Sequence, residues 1–250
     1  GGTAEGQQHV LANYGITAAA MGCPIRSSME TVELFRTDAG IPIYIDRHAA
    51  GADHIFICNR VKAHTRFAGP VESGLLKMMM IGLGKADGAL AFHGALKDRD
   101  FPAFAVEVGS RIIDRCPILG ALAIVENAFD RVALLEAVPP DQIVHREPAL
   151  LRLAKRWMAR LPFDDVDLLI IDRIGKNISG TGLDSNVVGR KFDDHKAVGD
   201  ERPRAEIIAL RGLTPETDGN ANGMGMAELC RSSMLREVDF AATRLHAMTA

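Results

Sequence analysis

Apolar residues along the chain fall into two kinds of run. Short β-rich runs come at 41–46 (IPIYID), 54–59 (HIFICN), 118–127 (ILGALAIVEN), 130–138 (DRVALLEAV), 166–175 (VDLLIIDRIG) and 204–213 (RAEIIALRGL). Their length and their β-branched content predict strands. HIFICN and VDLLIIDRIG are apolar nearly throughout, as strands covered on both faces would be. The runs at 118–127 and 130–138 flank a tight turn at Asn127 to Asp130 and predict a hairpin. CPIRSSMETVEL (23–34) reads as a loop or an edge strand.

The helical runs are longer. Residues 1–14 predict a helix with Thr3 as N-cap, Glu5 in the first turn and Gly15 as the stop. FPAFAVEVGSRIIDR (101–115) is helix-like. So is Glu147 to Leu161, with Leu150, Leu151, Leu153, Ala154 and Trp157 on one side and Arg152, Lys155, Arg156 and Arg160 around the other. TDGNANGMGMAEL (217–229) reads as a glycine-rich turn into a helix. GRKFDDHKAVGDERPR (189–204) is an exposed excursion. Strands alternating with helices predict an α/β fold. Pro139-Pro140 divides it into two units, 1–139 and 140–250, with mostly parallel sheets and the active site in the cleft between them.

The stretch from Asn59 to His93, NRVKAHTRFAGPVESGLLKMMMIGLGKADGALAFH, stands apart from this pattern. It begins where a strand ends, the place where ligands bind in open α/β sheets. It then carries His64 in a polar loop, and Lys77 on a run otherwise made of Leu, Met and Ile. Burial lowers the pKa of a lysine, and a neutral amine is a nucleophile or an attachment point. The plain alternative is a lysine reaching from a helix edge to water. His64 suits a general base, or is an exposed loop histidine. His93 suits a nickel, zinc or iron ligand, or a histidine at a helix C-terminus.

Composition narrows the picture further. The 250 residues are 47% hydrophobic and 24% charged, with a net charge of -3. That is globular, and it gives no reason to expect nucleic acid or an anionic membrane as partner. Cysteines at 23, 58, 116 and 230 form no CxxC pair, which argues against a cysteine-built cluster or zinc site. Scattered buried thiols suit a reducing cytoplasm. No signal peptide and no run long enough to span a bilayer is visible. The chain opens directly in a helical pattern and ends in RLHAMTA, which reads as a fragment with partner segments at both ends.

AHTRFAGPVESGLLK, followed by a histidine sixteen positions after the lysine, resembles the LarA-type nickel-dependent lactate racemase family. GGTAEGQ, YGIT, MGCPIRSSME and IGKNISGTGLDSNVVGR look like the lactate-racemase-domain branch of it. The spacing from Ser73-Gly74 to Lys77 and His93 is the most specific part. The resemblance implies a nickel-pincer pyridinium mononucleotide, covalently bound through a thioamide to Lys77, with Ser73 and Gly74 in the same binding motif. It implies His93 as the fourth ligand to nickel and His64 as acid/base on the substrate hydroxyl. The C2 hydride of a 2-hydroxy acid would pass to the cofactor and return to the other face of the keto acid. Lys176, at a strand end, is the candidate clamp on the substrate carboxylate. Partners would be a small 2-hydroxy acid and the cofactor-making proteins, with homo-oligomerisation left open.

The match is incomplete in two places. The Pro70-Val71-Glu72 insert between His64 and Ser73 is longer and more polar than the family's. The second catalytic histidine, the arginine and the phosphate loop of the family would fall before Gly1. Two other readings use the same residues: a nickel-free enzyme with Lys77 as amine catalyst, and a non-catalytic module that binds an anion at the glycine-rich loops 175–190 and 217–226.

Overall fold

The computed structural model describes residues 3–95 and 99–249. They form an α/β chain of two compact units: residues 1–63 with 68–158, and residues 64–67 with 159–250. The four-residue tip around His64 therefore belongs to the unit that is remote from it in sequence.

In the first unit, α1 (Ala4–Asn13) begins where Thr3 Oγ1 accepts the Gly6 N–H at 3.0 Å, the expected cap. The short α2 (Ala18–Met21) follows. β1 (Thr31–Arg36) and β2 (Pro42–Asp46) form an antiparallel hairpin of their own, so the 41–46 run does not join the main sheet. After α3 (Arg47–Ala50) comes β3 (Ile55–Arg60). Next are α4 (Leu75–Lys77), α5 (Lys85–Ala95) and α6 (Phe101–Arg115). β4 (Ile118–Glu126) then pairs parallel with β3 and antiparallel with β5 (Val132–Val138). The hairpin turn is fixed by the Asn127 side chain, whose Oδ1 accepts from Phe129 and Arg131 N–H.

β3 is not covered on both faces: Ile55 and Ile57 are buried while Phe56 and Cys58 are exposed. Cys23 is exposed as well, and Cys116 and Cys230 are half-buried, so none of the four thiols is fully buried as the sequence suggests. The helices pack on the other face. α6 buries Phe101, Phe104, Ala105, Val108 and Ile112, the three-and-four spacing its sequence shows. Gly109 admits Leu76, whose side chain occupies the place a methyl group would take.

α7 (Ile143–Trp157) corrects the expected boundary. It starts a turn before the sequence suggests and packs on β4 and α4, so the first unit runs to Met158 and not to residue 139. Its apolar stripe, Ile143, Leu150, Leu151 and Ala154, is buried there.

In the second unit, β6 (Asp165–Ile171), β7 (Arg204–Leu210) and the short β8 (Leu229–Cys230) form the all-parallel sheet. The parallel expectation holds here, whereas the first unit is mixed. β6 has one open face, with Leu168 and Ile170 exposed and Leu169 buried. α8 (Ser185–Val188), α9 (Ser232–Leu235) and α10 (Phe240–Thr249) complete the unit. The 217–229 segment is not a turn into a helix. It makes short 3-10 turns and leads into β8. Among the described residues no helix is long and apolar enough to cross a membrane.

Candidate active site around Lys77

The segment after β3 leaves the sheet and comes back. Val61 extends the strand, donating its N–H to Ile124 O at 2.8 Å. Lys62 and Ser73 then form an antiparallel bridge, with Lys62 N–H to Ser73 O at 2.8 Å. Residues 63–72 are the loop closed by this neck. The Asn59 side-chain amide donates to Gly74 O at 2.9 Å and holds the far side of the neck.

Beyond the neck the chain turns into α4. The first N–H groups of a helix need acceptors, and a local Ser, Thr or Asp usually supplies one. Here the acceptor comes from α7. The fully buried Glu147 takes the Leu76 N–H on Oε2 at 2.9 Å, and the Leu75 N–H as well. Among the described residues its Oε1 has no hydrogen-bond partner, and it lies against Gly74, where any side chain would overlap it. Glycine at 74 is thus what lets the carboxylate approach. Burial raises the Glu147 carboxyl to about 7, against the hydrogen bonds from Leu76 and Leu75.

Lys77 closes α4, and a π-helical turn follows at Met78–Gly82, with Leu83 N–H bonded to Met78 O at 3.0 Å. π turns are rare and often mark functional sites. The half-buried Lys77 amine is lowered from 10.5 to about 8, first by desolvation and then by the Lys62 charge. Its chain neighbours Leu75, Leu76, Met79 and Met80 are all buried. Near neutral pH this amine loses its proton far more readily than an ordinary lysine.

The Glu72 of the polar insert is also fully buried, and Lys155 Nζ meets its Oε1 at 2.5 Å. Glu72 Oε1 also accepts the Gly69 N–H at 3.2 Å. α7 therefore ties down the Lys77 segment at two points, through Glu147 and Lys155. Lys155→Met would remove the ion pair of the buried Glu72. It should destabilise the chain by about 3 kcal/mol in urea unfolding at pH 7.

His64 sits at the loop tip, within the second unit. Its Nδ1 accepts the N–H groups of Arg66 (3.0 Å) and Phe67 (3.2 Å), and its ring stacks on Phe67 with centroids 4.2 Å apart. The neutral ring therefore carries its proton on Nε2. Such a histidine serves a substrate oxygen as a donor, and to take a proton at Nδ1 it must give up two backbone bonds. The tip is held by the 175–190 loop. Asn186 Nδ2 donates to His64 O at 3.2 Å, Ser185 Oγ donates to Thr65 O at 2.6 Å, and Arg66 pairs with Asp194 at 2.8 Å.

Lys176 is exposed at the start of that same loop, its N–H bonded to Thr217 Oγ1 at 3.0 Å. Ser73, Gly74 and Lys77 thus come together in the first unit, while His64 and Lys176 share a loop system in the second. His93 lies in α5, but its side chain falls outside the described ones. Among the described residues, no group of three or more His, Cys, Asp or Glu could hold a metal ion.

Sequence reading missed Glu147, Glu72, Lys155 and Asn59 as parts of this site. Glu147 had a signal. It falls at the apolar spacing 143, 147, 150, 151, 154 of an amphipathic helix, where a carboxylate is out of place without a partner. No protein-family model matches the chain, and no curated protein matches it in sequence.

Proposed function

We propose that the Lys77 segment is an amine-centred active site, and that the chain is a racemase or epimerase of a small 2-hydroxy acid with Lys77 as the covalent anchor of a nickel-pincer pyridinium nucleotide. The observation that carries this reading is the Lys77 amine itself: lowered to about 8, placed on an apolar turn and braced from two sides by α7. An anchoring lysine must lose its proton to form an amide-type bond, and this one does so at little cost. The Lys77 amine therefore suits such an attachment. His93 would be the nucleotide's nickel ligand, a soft-to-borderline imidazole donor suited to square-planar nickel. When bound, the group supplies a hydride acceptor for the substrate C2 position. His64 is assigned proton transfer at the substrate hydroxyl, for which its Nδ1 must first release the Arg66 and Phe67 N–H groups, and Lys176 is assigned the substrate carboxylate.

A second reading follows from Lys62, whose charge adds to the lowering at Lys77. Two ammonium groups close together activate a lysine for imine formation with a keto acid, without a metal. One experiment separates the two. The chain is produced together with the cofactor-making enzymes, and its intact mass and nickel content are measured. The first reading expects an adduct on the peptide containing Lys77, with nickel in comparable amount. No adduct, with borohydride instead trapping a keto acid on Lys77, would replace it with the second.

A further inference from the structure

We infer that Glu147 is the positioning residue for the Lys77 amine, acting through the backbone of the turn that carries it. The inference rests on the reading of Lys77 as the reactive amine, and it concerns what holds that amine in its apolar setting.

Three observations support it. The cap on α4 is non-local: the N-cap position is Gly74, which has no side chain to offer, and the acceptor comes from 71 residues away. A cap of this kind ties the turn to α7 rather than to its own flanking loop. The cap is also costly. Among the described residues, one buried Glu147 oxygen has no hydrogen-bond partner, a condition that native chains rarely tolerate without a return. Finally, the space is reserved for it, since Gly74 is the one residue type that leaves Oε1 room. Asn59 on Gly74 O and Lys155 on Glu72 hold the same turn from its other sides.

The charged groups around the amine divide cleanly. Lys62 acts on Lys77 through its field. Glu72 and Lys155 are paired with each other. Glu147 acts through the Leu75 and Leu76 N–H groups. Removing its acceptor oxygen leaves those two N–H groups buried and unsatisfied, so the turn slackens and water reaches the lysine stem. Hydration then returns the amine toward its ordinary value.

Competitive acetylation with limiting acetic anhydride across pH, read by peptide mass spectrometry, tests this without any cofactor. Wild-type Lys77 should reach half its full reactivity near pH 8. Glu147→Gln keeps a carbonyl acceptor and should keep that midpoint. Glu147→Leu should move it up by about 1 pH unit or more. Gly74→Ala pushes the carboxylate off the turn and should move the midpoint the same way. Unchanged midpoints in Gly74→Ala and in Glu147→Leu, with melting curves showing both folded, would overturn the inference. A wild-type midpoint near 10.5 would remove the Lys77 reading, and this inference with it.

Discussion

Lys77→Met should abolish any adduct at this position while making the chain more stable at pH 7. The sign follows from the lowered amine. Folded Lys77 titrates at about 8 and an ordinary lysine at 10.5. Below pH 8 both states are protonated, and folding bears the full cost of desolvating the charge. Between pH 8 and 10.5 the folded amine is neutral while the unfolded one is still charged, so the cost fades as pH rises. The side chain is partly open to solvent, which reduces the cost to about 1–2 kcal/mol. Urea unfolding of Lys77→Met should show a gain of that size at pH 7, shrinking steadily above pH 8. A loss of stability at pH 7 would mean that the amine makes favourable contacts that outweigh its desolvation. Stability gained on removing a functional group is the usual sign of a site held against the preference of the fold.

Glu147→Gln should show the opposite pH pattern. The folded carboxyl is raised from 4.5 to about 7 by burial. Below pH 4.5 both states are protonated and the group costs nothing. From pH 4.5 to 7 the unfolded carboxyl ionises while the folded one does not, so stability falls with rising pH and the penalty is complete above 7. The glutamine variant removes that penalty and keeps an acceptor for the Leu76 N–H. It should be more stable than wild type by about 2 kcal/mol at pH 8 and equal to it at pH 4. Chemical unfolding at the two pH values measures this. Equal stabilities at both would show that Glu147 is not desolvated as the geometry requires.

Much of this molecule could be read from local signals. The Thr3 cap, the α6 stripe and the Asn127 turn depend on residues within a few positions of one another, and all three form as their sequences predict. Lys77 stood out because a charge among methionines and leucines is locally anomalous. What could not be read depends on distant partners. The 41–46 run pairs with β1 because a hairpin closes before the main sheet is reached. Residues 147–161 read as an amphipathic helix; the helix that forms, 143–157, lays its stripe on β4 and α4, which moves the unit boundary to Met158. Lys155 read as part of a charged helix face and Glu72 as part of a polar insert, and only the fold pairs them. The His64 tip changes units because its backbone oxygens meet Ser185 and Asn186, more than a hundred residues away. Glu147 is the instructive case. Its position on an apolar stripe was visible in the sequence, but only the structure shows that glycine at 74 makes room for it.

The most direct measurement is a titration of the Lys77 ε-amine by NMR in protein carrying isotope-labelled lysine, with Lys77→Arg to assign the resonance. A midpoint near 8 is expected. A midpoint near 10.5 would make Lys77 an ordinary solvated cation and would contradict its assignment as the reactive amine of the site.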